Sequence, residues 1–235
     1  PVNIHKNIFG NILSIFLEPD PPPFPFVCLT VSGGHTGIYL VKGFGDYLQM
    51  GQTLDDAAGE AYDKVAKMLG LGYPGGPEIE KVAAGGRRDA ISFPRAYLSS
   101  GSLDFSFSGL KTSVSLFLKN WRKEQDSPEK AALTDIAASF EEAVIEVLVR
   151  KTMLAQELTG AGAVVLAGGG ACNGRLRKAM AEAAESRQAR FYYPRPSYCS
   201  DNGAMIAAAG YHRLSQGWAA ESSMDVRSRY PIGEI

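Results

Sequence analysis

The stretch Thr30-Val31-Ser32-Gly33-Gly34-His35-Thr36-Gly37 is suited to holding an anion. Ser, Gly, Gly and Thr expose backbone N–H groups with almost no side chain in the way. A concave nest of such donors can lie close against a phosphate. A second small-residue turn, Gly168-Gly169-Gly170-Ala171-Cys172-Asn173, leaves an apolar run and enters a helical stretch. Strand, glycine turn and helix N-terminus together bind anions or nucleotides. This one is neither GxGxxG nor a P-loop, since no lysine follows as Gly-Lys-Ser/Thr. His35 is a candidate general base and equally a packed or turn-stabilising histidine. Most glycine turns are only turns, so the weight rests on there being two.

The elements around these turns can be read from pattern. Phe26-Val27-Cys28-Leu29 enters the first turn and Ile38-Tyr39-Leu40-Val41 leaves it, which predicts a β-hairpin. Ala163-Val164-Val165-Leu166-Ala167 reads as a buried parallel strand, and Phe191-Tyr192-Tyr193 as the next one. Helices are expected over residues 3–17, 53–69, 77–84, 110–121 and 136–158, and from Asn202 to Leu214. Thr53 is expected to cap the second of these, with Asp55 and Asp56 in its first turn, and Ser200 or Asp201 to cap the last. Leu103–Gly109 alternates like a short strand. The first helix carries isoleucines on one side and an asparagine ridge, Asn3, Asn7 and Asn11, on another. The second carries an acidic stripe, Asp56, Glu60 and Asp63, that reads equally as a solvated face or as the wall of a site. Gly75-Gly76, between prolines, lets a planar ligand or another backbone approach closely. Strands alternating with helices, with two glycine turns, predict an α/β protein whose ligand sits at the strand ends.

Composition narrows the classes. The 235 residues carry a net charge of −1, with 45% hydrophobic and 21% charged residues. A generally basic nucleic-acid binder is excluded, so any such contact needs a local patch, for which Arg87, Arg88, Lys111, Arg175 and Arg177 are candidates. Three separated cysteines, with no CxxC pair, suit small buried residues in a reducing compartment. No apolar run approaches the ~20 residues that span a bilayer. Glu18-Pro19-Asp20-Pro21-Pro22-Pro23 is a stiff connector and the one convincing domain boundary. Pro1 is not an initiator, and the opening reads as that of a fragment or processed chain.

Six motifs recur in this order in one family: Thr30–Thr36, Gly51–Lys64, Tyr73–Pro77, Asp104–Thr112, Ala167–Asn173 and Cys199–Asn202. On these the chain resembles the catalytic subunit of tRNA threonylcarbamoyladenosine synthase, formerly called a sialoglycoprotein endopeptidase. The resemblance implies the actin/sugar-kinase superfamily, with two ribonuclease-H-like lobes and nucleotide between them. Residues 1–25 would be the end of the first lobe plus the connector. Residues 26–235 would be mainly the second lobe, with the last helix and tail packing back on the first. The implied activity moves a threonylcarbamoyl group from threonylcarbamoyl-AMP to N6 of adenosine 37 in tRNAs reading codons that begin with A. It further implies a cytoplasmic enzyme that works with partner subunits: in bacteria, a homologous actin-like subunit and a small ATPase.

Carried over by motif, Thr30, Val31, Ser32, Gly33 and Gly34 would approach the phosphate and carbamoyl end of the ligand. Asp63, Gly76 and Glu80 would hold the ribose and adenine side, and Asn173 would touch the nucleotide from the second turn. Asp201 matches the family's aspartate ligand to a divalent metal, iron or zinc. The family's two histidine ligands, four residues apart, fall on Asn7 and Asn11 when counted back from Phe24-Pro25-Phe26. Neutral amide oxygens are poor substitutes for imidazole toward such metals. A catalytically impaired or assembly-only relative that binds nucleotide without tight metal is therefore the alternative expectation.

Overall fold

The computed structural model describes residues 7–97, 101–123 and 131–217. A five-stranded mixed sheet, ordered β3-β2-β1-β4-β5, is built from Phe26–Val31 (β1), Thr36–Gly43 (β2), Asp46–Gln52 (β3), Ala163–Ala167 (β4) and Arg190–Tyr192 (β5). β1, β2 and β3 form an antiparallel meander, while β4 runs parallel to both β1 and β5. Every residue of β1 and β4 is buried, as expected of strands covered on both faces.

Alternate side chains of these two strands feed two cores. Val27, Leu29, Val31, Val164 and Leu166 meet the larger helical layer. That layer is made of Ala58–Leu69 (α2), Gly75–Ala83 (α3), Ser108–Trp121 (α4), Leu133–Thr159 (α5) and Gly174–Glu185 (α6). Phe26, Cys28, Ala163, Val165 and Ala167 face the other way, onto Ile8, Ile12 and Ile15. These belong to Asn7–Leu13 (α1) and the 3-10 turn Ser14–Leu17 that follows it. Pro196–Cys199 (α7) and Gly203–Ser215 (α8) are the last elements among the described residues, and α8 packs on α1 where Gly10 faces Met205. The expected face of α5, from Ile136 through Phe140, Val144 and Val147 to Met153, is indeed buried.

Four local expectations are corrected. α2 begins at Ala58, not Thr53, because its first amide is accepted by the Thr36 hydroxyl at 2.9 Å, a partner on β2. Asp55 and Asp56 consequently lie before the helix and bind elsewhere. Leu103–Gly109 makes only a single bridge, Phe105 to Thr53, while Leu103, Phe105 and Phe107 point into the core. The cap of α8 is Asn202, whose Oδ1 accepts from the Met205 amide at 2.9 Å, rather than Ser200 or Asp201. Cys172 is exposed, unlike Cys28 and Cys199. Residues 3–6 of the expected first helix, and the tail after residue 217, lie outside the described residues.

Candidate functional site

The parallel register of β1 and β4 decides where the two glycine turns meet. Thr30 lies opposite Ala167, so both turns leave the sheet side by side at the same edge. Gly168 and Gly170 then press against β1. A Cβ on Gly168 would stand 2.5 Å from the Val31 carbonyl oxygen, and one on Gly170 would stand 2.5 Å from Val31 Cγ1. α2 closes in from a third side, where a Cβ on Gly59 would meet the Ser32 carbonyl oxygen. Between these elements opens a cavity of about 440 Å³, within the range of small-molecule sites.

Of the residues expected at the site, Val31, Ser32, Gly33, Asp63, Gly76, Glu80 and Asn173 line this cavity. Thr30 does not: it is buried within β1, and its hydroxyl is spent on the Gly37 carbonyl at 3.3 Å. Gly34 and His35 stand exposed in the turn, outside the lining. The turn closes on itself: the Ser32 amide donates to the His35 carbonyl at 2.8 Å, and the His35 amide donates to Ser32 Oγ at 3.1 Å. Among the described residues no partner engages the Gly33 and Gly34 amides, and a Cβ on either would meet nothing within 4 Å. These two N–H groups are open to a ligand, and Gly169 and Gly76, which line the cavity, are likewise bare toward open space.

The opposite wall is acidic and already organised. Asp63 Oδ1 accepts from the Gly75 amide at 2.7 Å, which fastens the Tyr73–Pro77 loop to α2. Glu80 Oε1 accepts from the Gly174 amide at 2.7 Å. Asn173 caps α6, its Oδ1 accepting from the Leu176 amide at 2.7 Å, while its Nδ2 donates to Glu141 at 2.8 Å. The N-terminus of α6 is therefore filled by this chain's own oxygens. Two carboxylates stand beside it, where a phosphate would be repelled.

Sequence reasoning missed Gly59, Tyr62, Cys172, Leu176 and Ser200 as lining residues. Gly59 carried a legible signal, a glycine inside an otherwise good helical pattern. Tyr62 carried none, since an aromatic on the apolar face of α2 reads as core. Burial drives the Tyr62 phenol well above its usual range, with Glu141, Glu80 and Glu142 adding to the effect.

Asp55 and Asp56 act as fasteners. The Asp55 carboxylate accepts from the Ser106 and Ser108 hydroxyls at 2.5 and 2.6 Å and from the Phe107 amide at 2.8 Å, so it caps α4 from a distance. Asp56 bridges Lys64 at 2.7 Å and Lys111 at 2.6 Å. The expected basic patch is not free either. Lys111 is held by Asp56, Arg87 by Asp135, and Arg88 and Arg175 by Glu142. Arg177 bonds the Ala171 carbonyl and lies over the Tyr193 ring.

The residues that the resemblance sets at metal positions, Asn7, Asn11 and Asp201, are of types that do not fit iron or zinc. Asn11 is 5% exposed, and its buried Oδ1 has no hydrogen-bond partner among the described residues. Asp201 is exposed and lies outside the cavity lining, and the side chain of Asn7 lies outside the described residues. Two neutral amides and one carboxylate are a hard, oxygen-only set. Among the described residues no three His, Cys, Asp or Glu side chains cluster.

Comparison with known proteins agrees with the motifs. The family model described as tRNA N6-adenosine threonylcarbamoyltransferase matches residues 5–208. Proteins of that name from Methylobacillus flagellatus and Geobacter metallireducens are 47% and 51% identical, over 100% and 98% of this chain and 68% and 66% of their own lengths. The chain thus spans about two thirds of such relatives. Two crystal structures of HypF share the fold. That from T. kodakarensis has a TM-score of 0.63 at 15% identity, covering 87% of this chain and 36% of its own. The full-length HypF structure, in its phosphate- and nucleotide-bound form, has a TM-score of 0.67 at 13% identity, covering 91% and 36%. The mixed α/β fold agrees with the actin/sugar-kinase type that the resemblance implied, and the chain belongs to the tRNA N6-adenosine threonylcarbamoyltransferase family, whose members are tRNA-modifying transferases.

Proposed function

We propose that the cavity binds threonylcarbamoyl-AMP with its phosphate at the Ser32–Gly34 turn and its ribose and adenine between Asp63, Gly76, Glu80 and Asn173. The observation that carries this polarity is the split of the cavity. One end offers the unpaired Gly33 amide, with that of Gly34 next to it beyond the lining, and the other offers carboxylate oxygens. Amides suit a phosphate, and carboxylates accept hydrogen bonds from ribose hydroxyls. Asp63 and Glu80 each use one oxygen internally and keep the other for such a donor.

In the reaction, N6 of the tRNA adenosine forms a bond to the carbamoyl carbon. The bond from that carbon to the phosphate oxygen breaks, and AMP leaves with the electron pair. N6 gives up one proton, for which His35, exposed in the turn outside the cavity lining, is the candidate acceptor that the sequence offers. The Gly33 and Gly34 amides stabilise the leaving phosphate as its charge grows. A divalent metal, where a family member holds one, would supply a Lewis acid. The amide donors of this chain do not match iron or zinc, and no step here runs through a metal.

The substrate would be adenosine 37 of tRNAs reading codons that begin with A. tRNA phosphates would be neutralised in part by partner subunits, because the candidate cations of this chain are paired internally. Those partners would include a homologous actin-like subunit and a small ATPase in a bacterium, and the setting would be the cytoplasm. Among the described residues no helix is long and apolar enough to cross a membrane. Residues 1–25 would close the first lobe, and α8, seated on α1, would join the second lobe to it.

The test incubates the chain with threonylcarbamoyl-AMP and an unmodified tRNA of this class, then digests the tRNA and weighs the nucleosides. Threonylcarbamoyladenosine at position 37 supports the reading. Its absence, with AMP still bound, would select the impaired or assembly-only alternative.

A further inference from the structure

Glu141 sits in the middle of α5 with 1% of its surface exposed, and it is not among the cavity-lining residues. A fully buried carboxylate needs a reason, because taking it out of water is costly unless it is hydrogen-bonded. Its partner is Asn173, whose Nδ2 donates to Glu141 Oε1 at 2.8 Å. Asn173 in turn lines the cavity and caps α6 through its Oδ1. The two contacts demand the same orientation of the amide: the Leu176 N–H requires an oxygen, and a carboxylate requires an N–H. A primary amide has two hydrogens on nitrogen. One goes to Glu141, so the atom left for a ligand is the second Nδ2 hydrogen.

We propose that Glu141 is a positioning residue that presents the Asn173 amide to the cavity as a hydrogen-bond donor, matched to an acceptor atom on the nucleotide. The proposal rests on the nucleotide reading of the cavity given above. Other ionisable groups face Glu141 from each neighbouring element: Tyr62 on α2, Glu80 on α3, Arg88 after α3 and Arg175 on α6. Burial pushes the Glu141 carboxyl up and the Asn173 bond pulls it down, while Glu80 raises it and Arg88 and Arg175 lower it. The net shift is upward. A neutral carboxyl still accepts from Nδ2 through its carbonyl oxygen, so the amide orientation survives protonation.

The experiment measures AMP affinity by calorimetry for the wild-type chain, Glu141→Leu, Glu141→Gln, Asn173→Ala and the Glu141→Leu/Asn173→Ala double variant. Asn173→Ala and Glu141→Leu are each expected to weaken binding about ten-fold, the scale of one hydrogen bond. The double variant should bind like Asn173→Ala alone, because both changes remove one interaction. Glu141→Gln keeps an acceptor and should bind within about two-fold of wild type. Losses that multiply in the double variant, or a Glu141→Leu that binds like wild type, would overturn the proposal and leave the nucleotide reading standing. A wild-type chain that binds no AMP would overturn both. Should Glu141→Leu fail to melt cooperatively, the Asn173 side-chain amide resonances of the wild type decide. They should move as the carboxyl titrates, and lose that movement in Glu141→Gln, which leaves the neighbouring groups unchanged. Resonances that behave alike in both proteins would contradict the proposal.

Discussion

The two glycine turns look alike in sequence and use glycine for opposite reasons. In the first, Gly33 and Gly34 face open space, and a side chain on either would touch nothing of this chain. Their bareness serves whatever comes from outside. In the second, Gly169 also faces open space, but Gly168 and Gly170 are bare because β1 lies against them, and Gly168 adopts φ +82°. Their bareness serves packing. The difference teaches that a glycine-rich turn marks a ligand-facing backbone only where the structure leaves space above it. The second turn contributes its side chain, Asn173, more than its amides.

The largest expected effect breaks the second turn. Gly168→Val combines a left-handed backbone with a clash at the Val31 carbonyl. It should cost about 2–4 kcal/mol of stability, read as a lower urea midpoint. An unchanged midpoint would mean that the two turns do not bear on one another as described.

A smaller effect probes the support beneath the first turn. Burial raises the Asp55 carboxyl, but bonds from the Ser106 and Ser108 hydroxyls and the Phe107 and Ser108 amides outweigh it, and its pKa is lowered below 3.8. A lowered folded value gives stability that is present above the unfolded pKa and is lost as pH falls through the folded one. Asp55→Asn should therefore melt lower at pH 7, by about 1 kcal/mol or less because the group is exposed. It should also lose less of its stability between pH 4 and pH 2. Parallel acid-denaturation curves for the two proteins would contradict this role.

Much of the fold was legible because it rests on local pattern. The unbroken apolar runs of β1 and β4 read as strands, and the face of α5 from Ile136 to Met153 repeats at helical spacing over about five turns. What was illegible depended on partners far away in the chain. Thr53 looks like a helix cap, yet the amide of Ala58 is satisfied by Thr36, twenty-two residues earlier. The acids at 55 and 56 look like first-turn residues, yet they fasten a segment some fifty residues later. The alternation at 103–109 is real, but its inward aromatics pack without a strand partner beyond Thr53. At the site, the ends of the motif Thr30–Gly34 fall outside the cavity lining, Thr30 because alternation in β1 turns its side chain away and Gly34 because it stands exposed in the turn. Glu141 gave no signal, because one glutamate beside another on a long helix reads as surface.

The central claim is the polarity of the cavity, with phosphate at the Gly33 and Gly34 amides and ribose at the acidic wall. The most direct measurement compares AMP and adenosine affinities in the wild-type chain and in Gly33→Val, a substitution the free protein has room for. Wild type should prefer AMP by about ten-fold or more, the scale of a charge-assisted bond. Gly33→Val should erase that preference, while adenosine binding and the melting temperature stay nearly unchanged. A preference for AMP that survives Gly33→Val would place the phosphate elsewhere and contradict the account.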